Sequence, residues 1–317
     1  MIKCPACHSE NNNGPLQTYR EIGIDYDYTR YACFDCSVEF WTPLIMPAAS
    51  YYEQGEDYEQ FHESGASNIK WWHKSFFEKF SALDVKGKIL DIGCADGRFL
   101  KKLKDQGWDI YGLDLDKKSV EVAKKNCQTK NIFNCYFTDF VREVEPNSFD
   151  VITFFEVLEH QPDPIKFIGE VKQILKPGGW IAGSVPNTER YIINKRFSPD
   201  NPPHHFTMWN KYNINNFIEH QGFTSTNVYH TRYEPILIDQ IIRAKLLKKM
   251  QILKQENSKK QSSTGRRFFN YNMVKVIKKI LWNPIYKILG FLEYPILYST
   301  KKSVSLFFQA KMCETRN

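Results

Sequence analysis

Along residues 86–230, short apolar runs alternate with stretches whose apolar positions recur at helical spacing. The runs KILDIG, WDIYGLD, NCYFTD, FDVITFF, GWIAGSV and GFTSTNVYH read as strands. Between them RFLKKLKDQG, KKSVEVAKKNCQ, PIKFIGEVKQILK and KYNINNFIEHQ read as helices. Regular interleaving of this kind predicts an α/β fold, a parallel sheet covered by helices on both faces. Upstream, NIKWWHKSFFEKFSAL predicts an amphipathic helix, residues 46–66 a polar, tyrosine-rich connector, and TYREIGIDYDYTRYACF the strands of a small antiparallel ribbon. Beyond residue 231 the strand pattern stops. ILIDQIIRAKLLKKMQILK reads as helix and QENSKKQSSTGRR as a polar linker, and the rest mixes aromatic and aliphatic groups with lysines. The expected organisation is therefore 1–45, a ribbon module; 46–84, connector and helix; 85–230, the α/β domain; and 231–317, a basic, helical C-terminal extension.

Length and composition fit that plan. With 317 residues, 42% of them hydrophobic, the chain can bury one full-sized core plus attached modules, which excludes disorder for most of it. The opening MIKCPACHSE lacks the charged and apolar segments of a secretory signal, and no apolar run approaches the roughly 20 residues of a membrane span. A cytoplasmic location is expected. The net charge of +7 hides an asymmetry: residues 231–317 carry 18 Lys or Arg against 5 Asp or Glu, whereas residues 1–230 carry 25 against 31. A basic tail on an acidic body points the tail at an anionic partner. Lys275, Lys278 and Lys279, with Ile277, Ile280, Leu281 and Trp282 between them, fit a basic amphipathic helix at the inner face of a membrane. Packing of the same helix on the domain or on a twin subunit, lysines outward, is the alternative. Pro284 interrupts the helix, and ILGFLEYPILYST is too short and broken to span a bilayer, so peripheral attachment is the most the tail supports.

Four of the eight cysteines cluster. CPAC and CFDC set Cys4, Cys7, Cys33 and Cys36 as two pairs, each able to hold one ion from a tight turn. Two such pairs make a closed tetrahedral thiolate site, the arrangement of structural zinc. Free buried thiols are the alternative.

The densest chemistry lies in ILDIGCADGRFL, where a strand turns through Gly93 and Gly97 into a helix, so that backbone can approach a ligand and free N–H groups face it. The turn alone could equally serve a dinucleotide. The next strand ends in YGLDLD, placing Asp114 where a carboxylate accepts ribose hydroxyls, and the third ends in FTDF, placing Asp139 and Phe140 near a purine. Singly, Asp114 reads as a turn residue, Asp139 as a helix cap and Phe140 as core. Together, LDIGCADGRF, GLD, TDF, FFEVLEH and LKPGGWIAGSVPN occur in the order and spacing of class I S-adenosylmethionine-dependent methyltransferases, which residues 85–230 resemble. The resemblance implies a seven-stranded, doubly wound Rossmann-like sheet. It places Asp91, Gly93 and Gly97 around the methionine part of S-adenosylmethionine, Asp114 on the ribose, and Asp139 with Phe140 at the adenine. Cys94 and Ala95 stand where many members have another small residue and glycine, and the seventh, antiparallel strand has no clear place in the sequence.

FFEVLEHQPDP ends an apolar run in two carboxylates and a histidine. If the chain turns helical after Phe155, Glu156, Glu159 and His160 share one face. ExxEH there resembles the branch that holds the quinone-biosynthesis O-methyltransferases and the small-RNA 3′-terminal methyltransferases. In that branch carboxylates and histidines bind a divalent ion such as magnesium, and His204 or His205 of NPPHHF would complete the set. A hard ion would prefer more oxygen ligands. Two other readings stay open: His160 as general base, and a purely structural pocket floor. SVPNTER and PPHHFTMW bracket the acceptor pocket by the same resemblance, making His204 and His205 substrate or base residues; a surface loop is the alternative.

The cysteine module, connector and methyltransferase domain together also resemble bacterial enzymes that methylate sugars of surface polysaccharides. The expected function is therefore O-methylation of a saccharide acceptor, small or lipid-linked. Two rivals are an RNA methyltransferase, disfavoured by the acidic body and the lack of an aromatic platform, and a non-catalytic cofactor-binding scaffold.

Overall fold

The computed structural model describes residues 2–21, 23–46, 69–80, 86–190, 200–230 and 305–314. The connector and nearly all of the C-terminal extension, including the lysine-rich helix of the sequence reading, lie outside these residues.

The N-terminal module is a meander of β1 (Asn12–Tyr19), β2 (Tyr28–Cys33) and β3 (Glu39–Thr42), each antiparallel to the next. Helix α1 (Trp71–Phe80) follows, and its apolar stripe lays Phe76 and Phe80 on Phe99, Phe155 and Trp180. Strands β4 (Lys88–Ile92), β5 (Asp109–Leu113) and β6 (Ile132–Phe133) then alternate with α2 (Arg98–Lys104) and α3 (Lys117–Cys127). Helix α4 (Phe137–Glu143) leads to β7 (Phe149–Phe155), one 3₁₀ turn (Leu158–His160), α5 (Pro164–Ile174) and β8 (Leu175–Pro186). A two-residue strand β9 (Thr207–Met208), α6 (Lys211–His220) and β10 (Phe223–His230) precede β11 (Ser305–Met312).

Seven strands form the main sheet in the order β10-β11-β8-β7-β4-β5-β6. All neighbours from β8 to β6 run parallel, and β11 alone opposes both of its neighbours. Strands covered on both faces read as unbroken apolar runs, which is why KILDI and FDVITFF carry little polar alternation. The chain winds outward from β4 in both directions, so the carboxyl ends of β4 and β7 flank the switch point where such sheets bind ligands. Among the described residues no helix is long and apolar enough to cross a membrane.

One strand departs from the sequence reading, which ended strands at residue 230 and took the extension as helical. Ser305–Met312 inserts as the missing antiparallel strand, and nearly every residue in it is buried. Buried on both faces, it has no period-2 signature to separate it from a buried helix. Phe307 packs on Phe155 and Tyr229 on one face, while Phe308 meets Phe154 on the other. Phe308 is paired with Gly183, and a Cβ on Gly183 would lie 2.5 Å from the Phe308 ring. The glycine thus makes room for the ring. Replacing Phe308→Ala is expected to cost about 3–5 kcal/mol, as for other fully buried phenylalanines. The urea midpoint reads it out, and an unchanged midpoint would remove β11 from the centre of the sheet.

Candidate active site

Strand β4 delivers the chain into a turn with three residues at positive φ: Gly93 at 76°, Ala95 at 46° and Gly97 at 73°. A Cβ on Gly93 would lie 2.8 Å from Val157 Cγ2, so only glycine lets this turn pass beneath the end of β7. Asp114, just past β5, reaches into the turn. Its Oδ2 accepts from Ala95 N at 2.8 Å and its Oδ1 from Asp116 N at 2.9 Å. These bonds aim the carboxylate and leave further lone pairs on both oxygens. Burial pushes its pKa up to about 6, and the backbone N–H groups oppose the rise. Gly93 and Asp114 line a cleft of about 280 Å³, together with Tyr136, Phe137, Glu156 and His160.

The other residues expected at the cofactor are placed differently. Asp91 is buried beneath the turn, where Thr153 Oγ1 donates to it at 2.6 Å, and burial raises its pKa to about 7. Gly97 faces α3: a Cβ there would lie 2.8 Å from Ala123 Cβ and 2.9 Å from Cys127 Sγ, so this glycine serves close packing of two helices. Asp139 and Phe140 are not in the cleft. Asp139 is exposed and pairs with Arg142 at 3.0 Å, while Phe140 packs in the core on Phe133 and Phe149. The cause is a boundary. The third strand ends at Phe133 and helix α4 starts at Phe137, so FTDF is the first turn of a helix, where an acidic residue meets the helix dipole favourably. Tyr136, Phe137 and Thr138, which the sequence did not single out, face the cleft instead. Their adjacency to the FTDF motif was the available signal.

The acceptor side gathers around the end of β7. The chain does not turn helical after Phe155: Glu156 has φ of 54° and only Leu158–His160 form a 3₁₀ turn, so the two carboxylates share no helical face although they stay close enough to interact. Glu156 faces the cleft, whereas Glu159 is buried beside the imidazoles of His160 and His205. The ligand atoms of His160, His204 and His205 lie within 4.8 Å of one another. Sequence spacing expected one of His204 and His205 here; the structure brings both.

Hydrogen bonds set the tautomers. His160 Nδ1 lies 2.5 Å from the His204 carbonyl oxygen, which can only accept, so Nδ1 carries the proton and Nε2 a lone pair. His205 Nδ1 lies 3.3 Å from Asp200 Oδ1, and Asp200 also pairs with Arg190. Burial opposes ionisation of Asp200, but His205 and Arg190 outweigh it and hold its pKa below the usual carboxylate range. His205 therefore donates from Nδ1 and presents a bare Nε2. Both Nε2 atoms lie 4.0 Å from Glu159 Oε1, and neither Glu159 oxygen has a hydrogen-bond partner among the described residues. Burial, then the nearby Glu156, drives the pKa of Glu159 well up. Burial, then the two neighbouring histidines, drives His160 well down. Burial keeps Glu159 in its neutral form, and the two Nε2 atoms stand just beyond hydrogen-bond reach of its oxygens.

A second group lies at the base of the ribbon. Cys4, Cys7, Cys33 and Cys36 place their sulfurs within 4.8 Å of one another, with Cys4 to Cys36 and Cys7 to Cys33 at 3.5 Å. The Cys4 thiol, first among the causes, holds Cys36 down at about 5, so one thiolate stands ready. The donor set fits zinc.

The profile of a methyltransferase-domain family matches residues 70–228. The ubiquinone biosynthesis O-methyltransferase of Chromobacterium violaceum is 27% identical over 151 residues, which cover 46% of this chain and 62% of that protein. The enzyme of the same name from Paraburkholderia phymatum is 31% identical over 143 residues, covering 44% and 59%. The chain thus spans about three fifths of the length of these curated relatives. A SAM-dependent methyltransferase from Archaeoglobus fulgidus shares the fold, with a TM-score of 0.50 at 16% identity over 80% of this chain and 99% of that one. The sequence reading looked to saccharide enzymes, whereas both curated relatives carry a quinone-biosynthesis name.

If Asp114 holds the ribose, Asp114→Ala should weaken S-adenosylhomocysteine binding by roughly ten- to a hundredfold, the loss of one charge-assisted bond. Asp139→Ala should leave it unchanged. Titration calorimetry decides, and equal affinity in both variants would dismiss the ribose assignment.

Proposed function

Because the chain belongs to the methyltransferase-domain family, we propose that it moves the methyl group of S-adenosylmethionine to an acceptor hydroxyl presented beside His160. The observation that carries this reading is the convergence of the His160 and His205 lone pairs on the unpartnered Glu159 carboxylate at the edge of the cleft. A sulfonium methyl is already electrophilic, so the residues have three tasks: in-line positioning, exclusion of water and removal of the hydroxyl proton. His160 both lines the cleft and stays neutral, because burial disfavours its charged form, and it takes the proton on Nε2. Asp200, held by Arg190, fixes the ring of His205 behind it. Asp114 and Gly93 seat the cofactor, with Tyr136 and Phe137 as the aromatic neighbours of its adenine.

A phenolic hydroxyl is the acceptor this site suits best. Its pKa of about 10 is within reach of a neutral imidazole, whereas a sugar hydroxyl is a far weaker acid. The quinone-biosynthesis names of the relatives and the apolar Met46, Phe155 and Val157 in the cleft agree with a ring-bearing acceptor. A small or lipid-linked saccharide is the second class. For a lipid-borne acceptor, the basic charge of residues 231–317 supplies attraction to an anionic membrane surface.

One observation favours a metal-assisted form of the same reaction. Ring N–H groups donated outward to a carbonyl and a carboxylate, with lone pairs facing inward, are the arrangement that orients metal-ligating histidines. His160, His204 and His205 would hold a borderline ion such as zinc; the all-nitrogen set does not fit magnesium, which takes oxygen ligands. Such an ion would supply Lewis-acid polarisation of the hydroxyl.

The test is transfer of labelled methyl into a panel of polyprenyl catechols and phenols and a parallel panel of free and lipid-linked saccharides. Label should enter a phenolic fraction, and His160→Asn should lower turnover by about 10²–10⁴ with S-adenosylhomocysteine affinity kept. Turnover indifferent to His160 would end the reading. Label entering saccharides would transfer it to the second acceptor class. Loss of turnover on chelation, restored by zinc or manganese and not by magnesium, would select the metal-assisted form, and chelator-insensitive turnover would select the base.

A further inference from the structure

The thiolate module and the histidine cluster share one hydrogen-bonded frame. Strand β3, which begins three residues after Cys36, pairs antiparallel with β9, matching Glu39 with Met208 and Phe40 with Thr207. The pairing extends by one bond at each end of the segment that carries the histidines. Trp41 N donates to Phe206 O at 2.8 Å, and Phe206 N donates to Glu159 O at 2.8 Å. Phe206 therefore joins the ribbon on one side to the backbone of Glu159 on the other. Immediately before it, His204 supplies through its carbonyl the acceptor that fixes the His160 tautomer. A second tie runs from Asn213 Nδ2 to the carbonyl of Ser37, the residue after Cys36, at 3.0 Å.

Packing follows the same path. Cys4, Cys33, Val38 and Phe40 belong to the buried cluster that contains Trp209 and Ile214, and Phe206 is enclosed by Tyr28 and Trp41 of the ribbon. The cofactor side shares that buried cluster through Ile92 and Leu113, but its hydrogen bonds are its own: Gly93, Ala95 and Asp114 are held by bonds between β4, β5 and their own turns.

We propose that an ion held by Cys4, Cys7, Cys33 and Cys36 positions the acceptor half of the active site through β3 and β9, and leaves the cofactor half untouched. The proposal rests on the reading that the histidine cluster handles the acceptor, although its test does not. A β3 of four residues has little strength without the metal-closed turn at its base, because small metallo-modules draw their folding free energy from the ion. Without β3, β9 loses its partner and Phe206 its enclosing walls. His204, His205 and the backbone of Glu159 are then released together. The Cys4–Cys36 site is in this sense a positioning device, and its loss would remove acceptor recognition while the cleft still bound cofactor.

The experiment uses the full chain as purified, with zinc counted by elemental analysis. Zinc is then displaced by a mercurial titrated to the four thiols, and amide hydrogen exchange and S-adenosylhomocysteine affinity are measured before and after. The count should be about one zinc for each set of four thiolates. Displacement should speed exchange by about tenfold or more at residues 200–209 and 156–161 while residues 88–133 keep their protection. Cofactor affinity should stay within about twofold, since no group that holds Asp114 moves. A zinc-loaded variant, Asn213→Asp, keeps the helix cap of Asn213 but loses its donor to Ser37, and should show the same regional loosening in weaker form. Protection at 200–209 that survives displacement would overturn the proposal, leaving the module an independent appendage. Loss of protection everywhere would also overturn it, making the ion a general stabiliser, and so would a protein that purifies without zinc. Failure of the intact protein to bind S-adenosylhomocysteine would strike the proposed function alone, because the exchange pattern is read without cofactor.

Discussion

Five ionisable side chains sit together under the end of one strand, and their desolvation is the constraint around which the acceptor side is built. Glu156, Glu159, His160, His204 and His205 could not be stored charged in an apolar interior, where unpaired ions cost several kcal/mol each. Burial answers by neutralising the histidines and raising the carboxylates. What remains is a set of polar atoms that still need partners, and the structure supplies them selectively. The two outward ring nitrogens receive a carbonyl and an ionised aspartate; the Glu159 oxygens receive no hydrogen bond from the described residues. A buried carboxyl without a hydrogen-bond partner calls for an explanation, and a ligand taken at this point, as proposed above, supplies one.

The cofactor half obeys a different constraint, close approach of backbone. Gly93 is required because β7 ends against it, and Asp114 is required because its carboxylate organises the same turn it offers to a ligand. Both requirements are local, set by strands that neighbour each other in sequence and in the sheet. That locality made them legible. The same is true of the four cysteines, whose two short spacings predict that the thiols meet, as they do, and of the histidines of EVLEH and HH, which come together.

What the sequence concealed was non-local or depended on an element boundary. Strand β11 is separated from β10 by residues 231–304 and is buried on both faces, so neither proximity nor alternation revealed it. Asp139 and Phe140 lie outside the cleft because the strand read to Asp139 ends at Phe133: once Phe137 starts a helix, the faces of the next residues rotate and Tyr136 and Phe137 line the cleft. Glu159 and Glu156 looked equivalent on a helical wheel, and the positive φ of Glu156 sends them to different places. Asp200, which orients His205, lies five residues ahead of it in SPDNPPHH, yet nothing in an isolated loop sequence says which carboxylate turns inward.

The dependence of β9 on β3 follows from size. A two-residue strand cannot hold itself, since even an isolated hairpin is marginal in water and a pair this short makes few bonds. Its register must be imposed by a surface that is already rigid. The main sheet gives it less: among the described residues β9 pairs as a strand with β3 alone, and the sheet side adds the bond from Phe206 to the Glu159 carbonyl and the bridge between Trp209 and the residues after β8. The ribbon can impose the register, provided its own turns are fixed, and a meander this small has too little core to fix them by burial alone. A thiolate-bound ion, as proposed above, would supply that rigidity at one point, and the antiparallel pairing would carry it to the histidines. The module at the start of the chain and the loop after β8 are thus two ends of one support. This explains why a segment bearing two of the three clustered imidazoles can be a loop in sequence and still be buried to the degree that tunes them.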